Sequence, residues 1–381
     1  MSPIRAAFLI TELRVGGAER CLTRLATELH SEQFQVEVYS LAPPPPADRG
    51  ELAQLLRERG IPTHFLDLSS PWQIRTAVQK FRQALDRQRP AIIQSFLFHA
   101  NVVASLAAKP WPAMRVVHGL RVADPRAWRH WVERFSARRA DKVVCVSEAV
   151  ARFARARSRI DSAKIVTIPN GIDCDFVDAQ SATPLSALGP APGRRAITAL
   201  GRLDPQKGLD WLLETAAIFL PQLPQHDLVI VGDGPERAAL AAQAQRLKIA
   251  ERVWMPGWRK DALGILKASD LFVMTSRWEG MPNALLEAMA CSLPVVATRV
   301  EGVEELVAEF SDRQLVSPTD TEGLVHRVVK LARDRQLAEE LAAANRWQIQ
   351  QHFSLERMVA KYQQLYQRLL LVDENRADQG G

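Results

Sequence analysis

The sequence predicts an α/β protein that contains two doubly wound, parallel-sheet domains of about equal size. Short apolar segments with strand character alternate with helical segments through both halves of the 381-residue chain. This alternation is typical of parallel sheets that are covered by helices on both faces. Residues 181–195 interrupt it and are rich in Ala, Ser, Pro and Gly, which is the composition of a linker.

The first domain is predicted over residues 1–180. Its strand-like segments are residues 5–11, 35–41, 63–66, 91–96, 115–118 and 142–146. The stretch 91–108 has the length of a membrane span, but polar residues such as Gln94, His99 and Asn101 interrupt it. We therefore interpret that stretch as a buried strand followed by a helix.

The second domain is predicted over residues 196–353. Its strand-like segments are residues 196–200, 227–231, 252–255, 271–275 and 294–298. A C-terminal helix over residues 354–372 is expected to cross back to the first domain, and the polar tail 373–381 is expected to be disordered. Ligands of such sheets bind beyond the carboxyl ends of the strands, so the expected site is the cleft between the domains.

Composition and charge limit the classes of protein to which this chain can belong. Hydrophobic residues make up 47% of the chain and charged residues 24%, as in ordinary globular proteins. The apolar run near the N-terminus is too short for a signal peptide, and the four cysteines form no CxxC pair. These features predict a cytoplasmic protein with reduced cysteines. The net charge of +6 comes from a basic N-terminal half, which indicates an acidic partner or simply an arginine-rich surface.

Four turns that follow predicted strands have features that suit phosphate binding. Glycines let a backbone approach a ligand closely, and a following helix presents free N–H groups. In the second of these turns, Arg202 and Lys207 lie between glycines and are expected to clamp a diphosphate. The turns are Gly16 with Gly17, residues 201–208, residues 231–236 and residues 276–287. A plain tight turn is the alternative for the Gly16 pair, and a solvated loop for residues 201–208.

Two glutamates lie in the last of these segments. Glu279 precedes a helix that is predicted to start near Pro282, with Asn283 in its first turn, and Glu287 lies inside that helix. Carboxylates accept hydrogen bonds from sugar hydroxyls, so the two would suit two sets of hydroxyl groups. Two glutamates eight residues apart are otherwise an ordinary surface pair.

The segment EGMPNALLE at residues 279–287 resembles the E-x7-E signature of the retaining GT-B glycosyltransferases of family 4. Further segments fit the same family in the same order, and the resemblance extends over about residues 3–365. They are GGAER at 16–20, VHG at 117–119, VSE at 146–148, PNGID at 169–173, GRLDPQKG at 201–208 and GDGP at 232–235.

The resemblance implies a GT-B fold and metal-independent, retaining transfer of a hexosyl group from a UDP- or GDP-sugar. The implied acceptor is a saccharide or a lipid-linked saccharide of polysaccharide or lipopolysaccharide assembly. The implied catalytic residues are His118, Arg202, Lys207 and Glu279. The implied donor-binding residues are Gly16, Gly17, Gly201, Gly232, Gly257, Trp258, Gly280, Met281, Pro282, Asn283 and Glu287.

The resemblance also implies a role for each group. Arg202, Lys207 and the Gly17 N–H would hold the donor diphosphate, and Glu279 would hold the donor sugar. Glu287 would bind the ribose, and His118 would lie near the reacting carbon.

No cofactor or metal is expected. Cations beside the leaving nucleotide can stabilise its charge without Mg²⁺. The segment Asp173-Cys174-Asp175 has the Asp-x-Asp pattern of metal-dependent transferases, but it lies in a turn near the linker. We therefore do not interpret it as a metal site.

Other functions fit the sequence less well than sugar transfer does. The intact Glu279 and Glu287 pair argues against a non-catalytic sugar-nucleotide-binding partner protein, and a sugar-nucleotide epimerase is the nearest enzymatic alternative. An NAD-dependent oxidoreductase is disfavoured because the first strand does not lead to G-x-G-x-x-G. A nucleic-acid binder is disfavoured because no recognition motif is present.

The acceptor side is expected in the first domain. Asp124 is predicted to cap a helix that has Pro125 at its first position. The aromatic residues of that helix form one stripe, and arginines flank it. A basic helix with a tryptophan face is typical of a membrane-surface element at the inner face of the plasma membrane, whereas packing on its own domain is the alternative. The surface residues are Arg126, Trp128, Arg129, Trp131, Arg138 and Arg139, with Val132 and Phe135 completing the stripe.

Overall fold

The computed structural model describes residues 3–108 and 114–377 and divides the chain into two compact units. The first unit comprises Met1–Gly171 and Leu355–Gly381, and the second comprises Ile172–Ser354. Residues 181–195, predicted as a linker, lie inside the second unit. The Thr183 N–H donates to the Gly264 carbonyl (2.9 Å), and its hydroxyl donates to Asp261 (2.9 Å). These bonds tie the segment to the second unit.

The first unit is built on a parallel sheet with helices between its strands. Its strands are β1 (Ile4–Ile10), β2 (Phe34–Ser40), β3 (Thr63–Phe65), β4 (Ile92–Phe96), β5 (Arg115–Leu120), β6 (Lys142–Cys145) and β7 (Ile165–Thr167). Its helices up to residue 156 are α1 (Gly17–Leu29), α2 (Glu51–Glu58), α3 (Ile74–Gln88), α4 (Phe98–Ala107), α5 (Ala127–Ala137) and α6 (Glu148–Ala156). The strand order is β3-β2-β1-β4-β5-β6-β7.

The second unit repeats this plan with a smaller parallel sheet. Its strands are β8 (Arg195–Leu200), β9 (His226–Val231), β10 (Val253–Gly257), β11 (Leu271–Met274), β12 (Val295–Thr298) and β13 (Leu315–Val316). Its helices are α7 (Cys174–Asp178), α8 (Leu209–Phe219), α9 (Arg237–Arg246), α10 (Ala262–Lys267), α11 (Asn283–Ala290), α12 (Val303–Val307), α13 (Ser311–Gln314), α14 (Thr321–Arg333) and α15 (Arg335–His352). The strand order is β10-β9-β8-β11-β12-β13.

Both sheets reverse their strand order beside their first strand. The reversal lies between β1 and β4 in the first unit and between β8 and β11 in the second. The connections on the two sides of such a point diverge, which leaves a crevice at the carboxyl ends of the strands. These two crevices are therefore the places to look for ligand-binding residues.

A last helix, α16 (Leu355–Ala377), completes the first unit. Its Tyr362 and Tyr366 are fully buried, and Tyr366 packs against Phe8 and Phe34. The helix passes residue 372, its predicted end, because residues 373–377 contain no Gly or Pro to stop it. The expected disorder of residues 373–381 stays a prediction, and residues 378–381 lie outside the described part of the chain.

The alternation of strands and helices is confirmed, and the stretch 91–108 forms β4 and α4. Within residues 3–108 and 114–377, no helix combines the length and apolar character that a membrane crossing requires. The short strands β7 and β13 were not predicted. Each has three residues or fewer, so neither carries a periodic pattern in the sequence.

Candidate functional site

The loops that follow β8 and β11 lie side by side in the second unit. The two strands are paired, with Leu271 opposite Ile197, and they flank the point where the strand order reverses. The predicted segments 201–208 and 276–287 are the loops that leave these two strands. The topology therefore brings together two segments that β9, β10 and the helices around them separate in the sequence.

Close backbone approach fixes the first loop on the second. Gly208 has φ +61°, and a Cβ atom there would lie 2.3 Å from the Thr275 carbonyl oxygen. The Thr275 hydroxyl in turn lies 3.1 Å from the carbonyl oxygens of Lys207 and Gly208. Glycine is needed at this position for both its conformation and the contact. Lys207 is thereby held at the carboxyl end of β11.

Lys207 and Glu279 form an ion pair at the centre of this region. Nζ of Lys207 lies 2.6 Å from Oε1 of Glu279, and the two side chains are 22% and 7% exposed. Gln206 supports the pair, since its carbonyl accepts the Arg277 N–H (2.7 Å) and its side-chain amide donates to the Trp278 carbonyl (2.9 Å). The structure thus joins two predicted site residues that the sequence left unconnected.

Arg202, the other predicted cation, is largely exposed to solvent. Its side chain is 69% exposed, and its Nε donates to Asp204 (2.7 Å). A guanidinium at this exposure can turn toward a ligand at little cost. Arg277 adds a further cation to the same loops and holds both carboxylate oxygens of Asp210 (2.9 and 2.7 Å). Arg277 was not among the residues predicted for the site.

The turn after β9 presses directly on the turn after β8. A Cβ atom at Gly232 would lie 1.8 Å from the Gly201 carbonyl oxygen, and φ at Gly232 is +146°. The Gly201 N–H donates to the Val231 carbonyl (3.0 Å), and the Gly232 N–H donates to the Gly257 carbonyl (2.9 Å). Gly201, Gly232 and Gly257 therefore form one continuous backbone layer across three neighbouring strands. The half-buried Trp258 follows immediately.

The second predicted carboxylate, Glu287, belongs to the helix α11 that follows the Glu279 loop. The helix α11 begins at Asn283, with Pro282 as the residue before its first turn, which agrees with the predicted start near Pro282. Gly280, Met281 and Pro282 are buried next to Glu279, and Glu287 is half-buried one turn into α11. The N-terminal N–H groups of α11 lie directly after this loop, where they favour a negatively charged or hydroxyl ligand.

The Asp-x-Asp segment has a structural task. The Asp173 side chain accepts the Phe176 N–H (2.8 Å) and caps α7. In the described residues, no group of three or more His, Cys, Asp or Glu side chains is arranged to hold a metal ion. Asp173 therefore serves the local backbone.

Two predicted site residues of the first unit, Gly16 and Gly17, form the turn between β1 and α1. Gly16 is extended (φ −153°) and its carbonyl accepts the Arg20 N–H (3.0 Å). The turn lies at the reversal point of the first sheet, beside β4. Glu19, in the first turn of α1, is 8% exposed and places a carboxylate near the helix N-terminus.

His118 is placed differently from the expectation. The strand β5 continues to Leu120, so His118 is not at the strand end, and its side chain is 2% exposed. Its Nε2 lies 3.1 Å from the hydroxyl of Ser105, which also lies 3.0 Å from the Ser136 carbonyl. Burial, with the Lys164 charge, lowers the pKa of His118 to about 3. The imidazole is thus a neutral group packed among β5, α4 and α5.

The polar group at the end of β5 is Arg121, which was not predicted for the site. It is 8% exposed, donates to the Asn170 side chain, and lies 5.4 Å from the Phe96 ring centroid. Among the described residues, no carboxylate forms an ion pair with it. A buried cation without a counter-charge is costly. Its signal in the sequence is weak, because Arg121 is one of many arginines in the first half.

The aromatic stripe of α5 faces solvent. Trp128, Trp131 and Phe135 are 56%, 71% and 43% exposed, and the opposite side of the helix buries Glu133 and Ser136. The prediction that Asp124 caps the helix is wrong, because α5 begins at Ala127 and its first turn has no side-chain cap.

Asp124 instead pairs with two arginines. It accepts hydrogen bonds from Arg126 Nε (2.9 Å) and Arg129 Nη1 (2.5 Å). Although burial opposes it, hydrogen bonds from Arg126 and Arg129 hold the pKa of Asp124 well below its usual range. The two predicted surface arginines nearest the start of α5 therefore share the single negative charge of Asp124, whereas Arg138 is exposed and Arg139 lies over the Phe135 ring (5.7 Å).

Comparison with known proteins places both units in related families. Residues 15–176 match a family model described as Glycosyltransferase Family 4, and residues 194–334 match one described as Glycosyl transferases group 1. The UDP-Gal:alpha-D-GlcNAc-diphosphoundecaprenol alpha-1,3-galactosyltransferase of Escherichia coli is 27% identical over 380 residues, which cover 96% of this chain and 97% of that protein. The Rhizobium meliloti lipopolysaccharide core biosynthesis glycosyltransferase LpsE is 31% identical over 228 residues, 60% of this chain and 64% of that protein.

Solved structures share the architecture. HepE of Anabaena in complex with UDP and glucose has a TM-score of 0.81 at 22% identity, covering 96% of this chain and 100% of that one. A sucrose-phosphate synthase from Thermosynechococcus elongatus has a TM-score of 0.80 at 21% identity, covering 97% and 100%. Identities this low establish the fold alone.

Proposed function

This chain belongs to glycosyltransferase family 4 and has the GT-B fold, and we propose that it is a retaining, metal-independent hexosyltransferase that uses a UDP- or GDP-sugar. The observation that carries the proposal is the Lys207–Glu279 pair (2.6 Å), with Arg202 on the same loop, at the reversal point of the second sheet. Two cations and a carboxylate there suit the two ends of a nucleotide-sugar, its diphosphate and its sugar hydroxyls.

The cations stabilise the leaving group in this proposal. When the bond between the anomeric carbon and the diphosphate oxygen breaks, negative charge builds up on that oxygen. Lys207 is already in place, and the exposed Arg202 turns from Asp204 to bind the same diphosphate. The N-terminus of α11 adds a favourable dipole. These groups supply the charge that a divalent metal ion supplies in other transferases.

Glu279 orients the donor sugar in the same proposal. Its buried carboxylate shares one oxygen with Lys207, and the other oxygen accepts hydrogen bonds from sugar hydroxyls. We infer that the acceptor oxygen attacks the anomeric carbon on the face that the diphosphate leaves. The acceptor proton passes to the departing phosphate oxygen, so that no covalent sugar–enzyme intermediate is formed and the configuration is retained.

The remaining donor contacts are proposed on the family resemblance. Glu287 binds the ribose, the backbone of residues 280–283 lies along the sugar, and Trp258 with Gly257 lines the base pocket. Gly16 and Gly17 are proposed ligands of the diphosphate on the same ground. The proposed contact of His118 with the sugar would require its side chain to leave the packing against Ser105.

The acceptor is proposed to be a saccharide, either free or linked to a lipid. The Escherichia coli relative, which matches 96% of this chain, acts by its name on GlcNAc-diphosphoundecaprenol, and LpsE acts in lipopolysaccharide core biosynthesis. A lipid-linked acceptor of this type lies in a membrane. We therefore propose that the enzyme works from the cytoplasm, at the inner face of the plasma membrane.

The donor site is tested by nucleotide binding. We expect UDP or GDP to raise the melting temperature of the purified protein, equally with and without EDTA. Lys207→Ala should abolish this rise. Lys330→Ala, which removes an exposed lysine of α14 in the same unit, should leave it intact. A nucleotide effect that requires a divalent metal would contradict the metal-independent mechanism.

Transfer itself is tested with an undecaprenyl-diphosphate-linked GlcNAc acceptor and UDP- or GDP-hexoses. The configuration of the new linkage is read by proton NMR. The same configuration as in the donor supports retention, and an inverted product would refute it. Formation of a new sugar nucleotide without acceptor would instead identify an epimerase.

A further inference from the structure

The helix α5 presents three large aromatic side chains to solvent on one side. We call this the aromatic face and define it as Trp128, Trp131 and Phe135, which are 56%, 71% and 43% exposed. The rings of Trp131 and Phe135 are stacked, with centroids 6.2 Å apart. Leaving rings of this size in water forgoes the free energy of burying them. A contiguous exposed apolar face on a soluble unit marks an interaction site.

The other side of α5 is fully engaged with the first unit. Glu133 accepts a hydrogen bond from the buried Ser158 hydroxyl (2.8 Å), and Ser136 is 3% exposed. The Lys164 ammonium donates to the carbonyls of Ala137 and Ala140 at the end of the helix (3.2 and 2.7 Å). The helix is therefore fixed on the first unit. Trp128 packs edge-on against Phe98 of α4, with ring centroids 5.5 Å apart, yet its side chain stays 56% exposed, and Trp131 and Phe135 also face solvent.

Exposed arginines lie around the aromatic face. Arg134 and Arg138 project from α5 and are exposed. The next helix lies alongside, because His130 of α5 contacts Phe153 of α6 with ring centroids 5.1 Å apart. It adds the exposed Arg152 and Arg155. We call these four arginines the basic rim (Arg134, Arg138, Arg152 and Arg155).

The ion pairs of this region concentrate charge on the rim. Asp124 pairs with both Arg126 and Arg129, but in the part of the chain that the structure describes, no carboxylate pairs with the four rim arginines. An uncompensated positive rim beside exposed tryptophans matches one kind of partner in both charge and polarity. That partner has a negatively charged surface above an apolar interior, as an anionic lipid bilayer has.

We propose that the aromatic face inserts at the interface of an anionic bilayer while the basic rim contacts lipid phosphates. Trp128 and Trp131 would lie at the depth of the headgroups, where tryptophan side chains are favoured in membranes. The arginine stems would lie along the apolar surface with their guanidinium groups at the phosphates. This docking deepens the proposed function, since it would bring the enzyme to a lipid-linked acceptor, but it is tested without any transfer assay.

The experiment is co-sedimentation of the full chain with vesicles of phosphatidylcholine alone, or with about 30% phosphatidylglycerol, an anionic lipid. We expect the protein to sediment with the anionic vesicles, and less so as salt is raised. The double variant Trp128→Ser/Trp131→Ser should lower the partition coefficient by about tenfold or more. Trp347→Ser removes a tryptophan of α15 that is 58% exposed, and it should change nothing.

The charge component is tested separately. Arg134→Glu/Arg138→Glu should abolish sedimentation with anionic vesicles at physiological salt. Every variant should show the same UDP- or GDP-induced rise in melting temperature as the unmodified protein. This keeps a failure of docking distinct from a failure to fold and from a failure of the proposed donor site.

Several outcomes would overturn the proposal. Equal sedimentation with neutral and anionic vesicles would remove the role of the basic rim. No sedimentation of the unmodified protein would remove docking altogether. A concentration-dependent dimer in analytical ultracentrifugation that disappears in Trp128→Ser/Trp131→Ser would assign the face to a second copy of the chain. Binding to neutral vesicles that appears upon adding a polyprenyl-linked saccharide would assign the face to the acceptor's lipid chain.

Discussion

Removing the Lys207 ammonium is predicted to destabilise the second unit, because the structure pairs this group with the buried Glu279 carboxylate. At 2.6 Å, two unit charges attract by about 6 kcal/mol with an effective dielectric constant of 20. The cost of desolvating the two charges offsets much of this attraction. Since Lys207 is 22% exposed and Glu279 7%, we expect Lys207→Met to lower the free energy of unfolding by about 2–4 kcal/mol.

The partner substitution gives the matched control. Glu279→Gln leaves the partly exposed lysine able to reach water, so we expect a smaller loss of about 1 kcal/mol. In the double variant Lys207→Met/Glu279→Gln no buried charge is left alone. Its loss should therefore be smaller than the sum of the two single losses by about 1–3 kcal/mol.

Urea unfolding, followed by tryptophan fluorescence, measures these differences. The two units need not unfold together, so the relevant transition is the one that UDP or GDP shifts to higher urea in the unmodified protein. Additive losses in the double variant would refute the ion pair as a source of stability. A Lys207→Met protein as stable as the unmodified one would refute the burial of Glu279 on which the argument depends.

Three further predictions concern single sites. Gly232→Ala places a methyl group 1.8 Å from the Gly201 oxygen, so the melting temperature should fall and nucleotide binding weaken; an unchanged protein would refute the contact. His118→Ala should cost about 2–4 kcal/mol of unfolding free energy but keep the nucleotide-induced shift. Because the pKa of His118 is lowered to about 3, its neutral form contributes stability above an unfolded-state pKa of about 6.5 that is lost as pH falls toward 3. Unfolding measured against pH should then show a shallower acid decline in His118→Ala. Asp124→Asn should cost about 2 kcal/mol at neutral pH, and less near pH 3, because the pKa of Asp124 is held below its usual range.

Periodicity and composition predicted the fold well because the strands and turns of a parallel sheet can be recognised in short stretches of sequence. A buried parallel strand such as β1 has a continuous apolar run, AAFLI, and glycine turns mark the strand ends. The position of a strand end is less well encoded. His118 precedes Gly119-Leu120, and the sequence does not show that the strand continues through this glycine.

The connections within the candidate site were not predicted from the sequence. Lys207 and Glu279 were both singled out, yet the bond between them depends on the pairing of β8 with β11, which is a property of the sheet order. Arg121 was missed because its burial, unlike its charge, is decided by distant residues such as Phe96 and Asn170. Asp124 was expected as a helix cap, but two arginines nearby in the sequence compete for its carboxylate.

The first unit is built from both ends of the chain. This arrangement has a consequence during protein synthesis. Its core includes Tyr362 and Tyr366 of α16, which pack around Phe8, Phe34 and Phe96. The ribosome makes the whole second unit, Ile172–Ser354, before it makes these tyrosines. At typical elongation rates the first unit waits roughly ten seconds or more for its last helix. A premature stop after residue 354 would thus leave the newly made N-terminal half with an open aromatic core, as a substrate for chaperones and proteases.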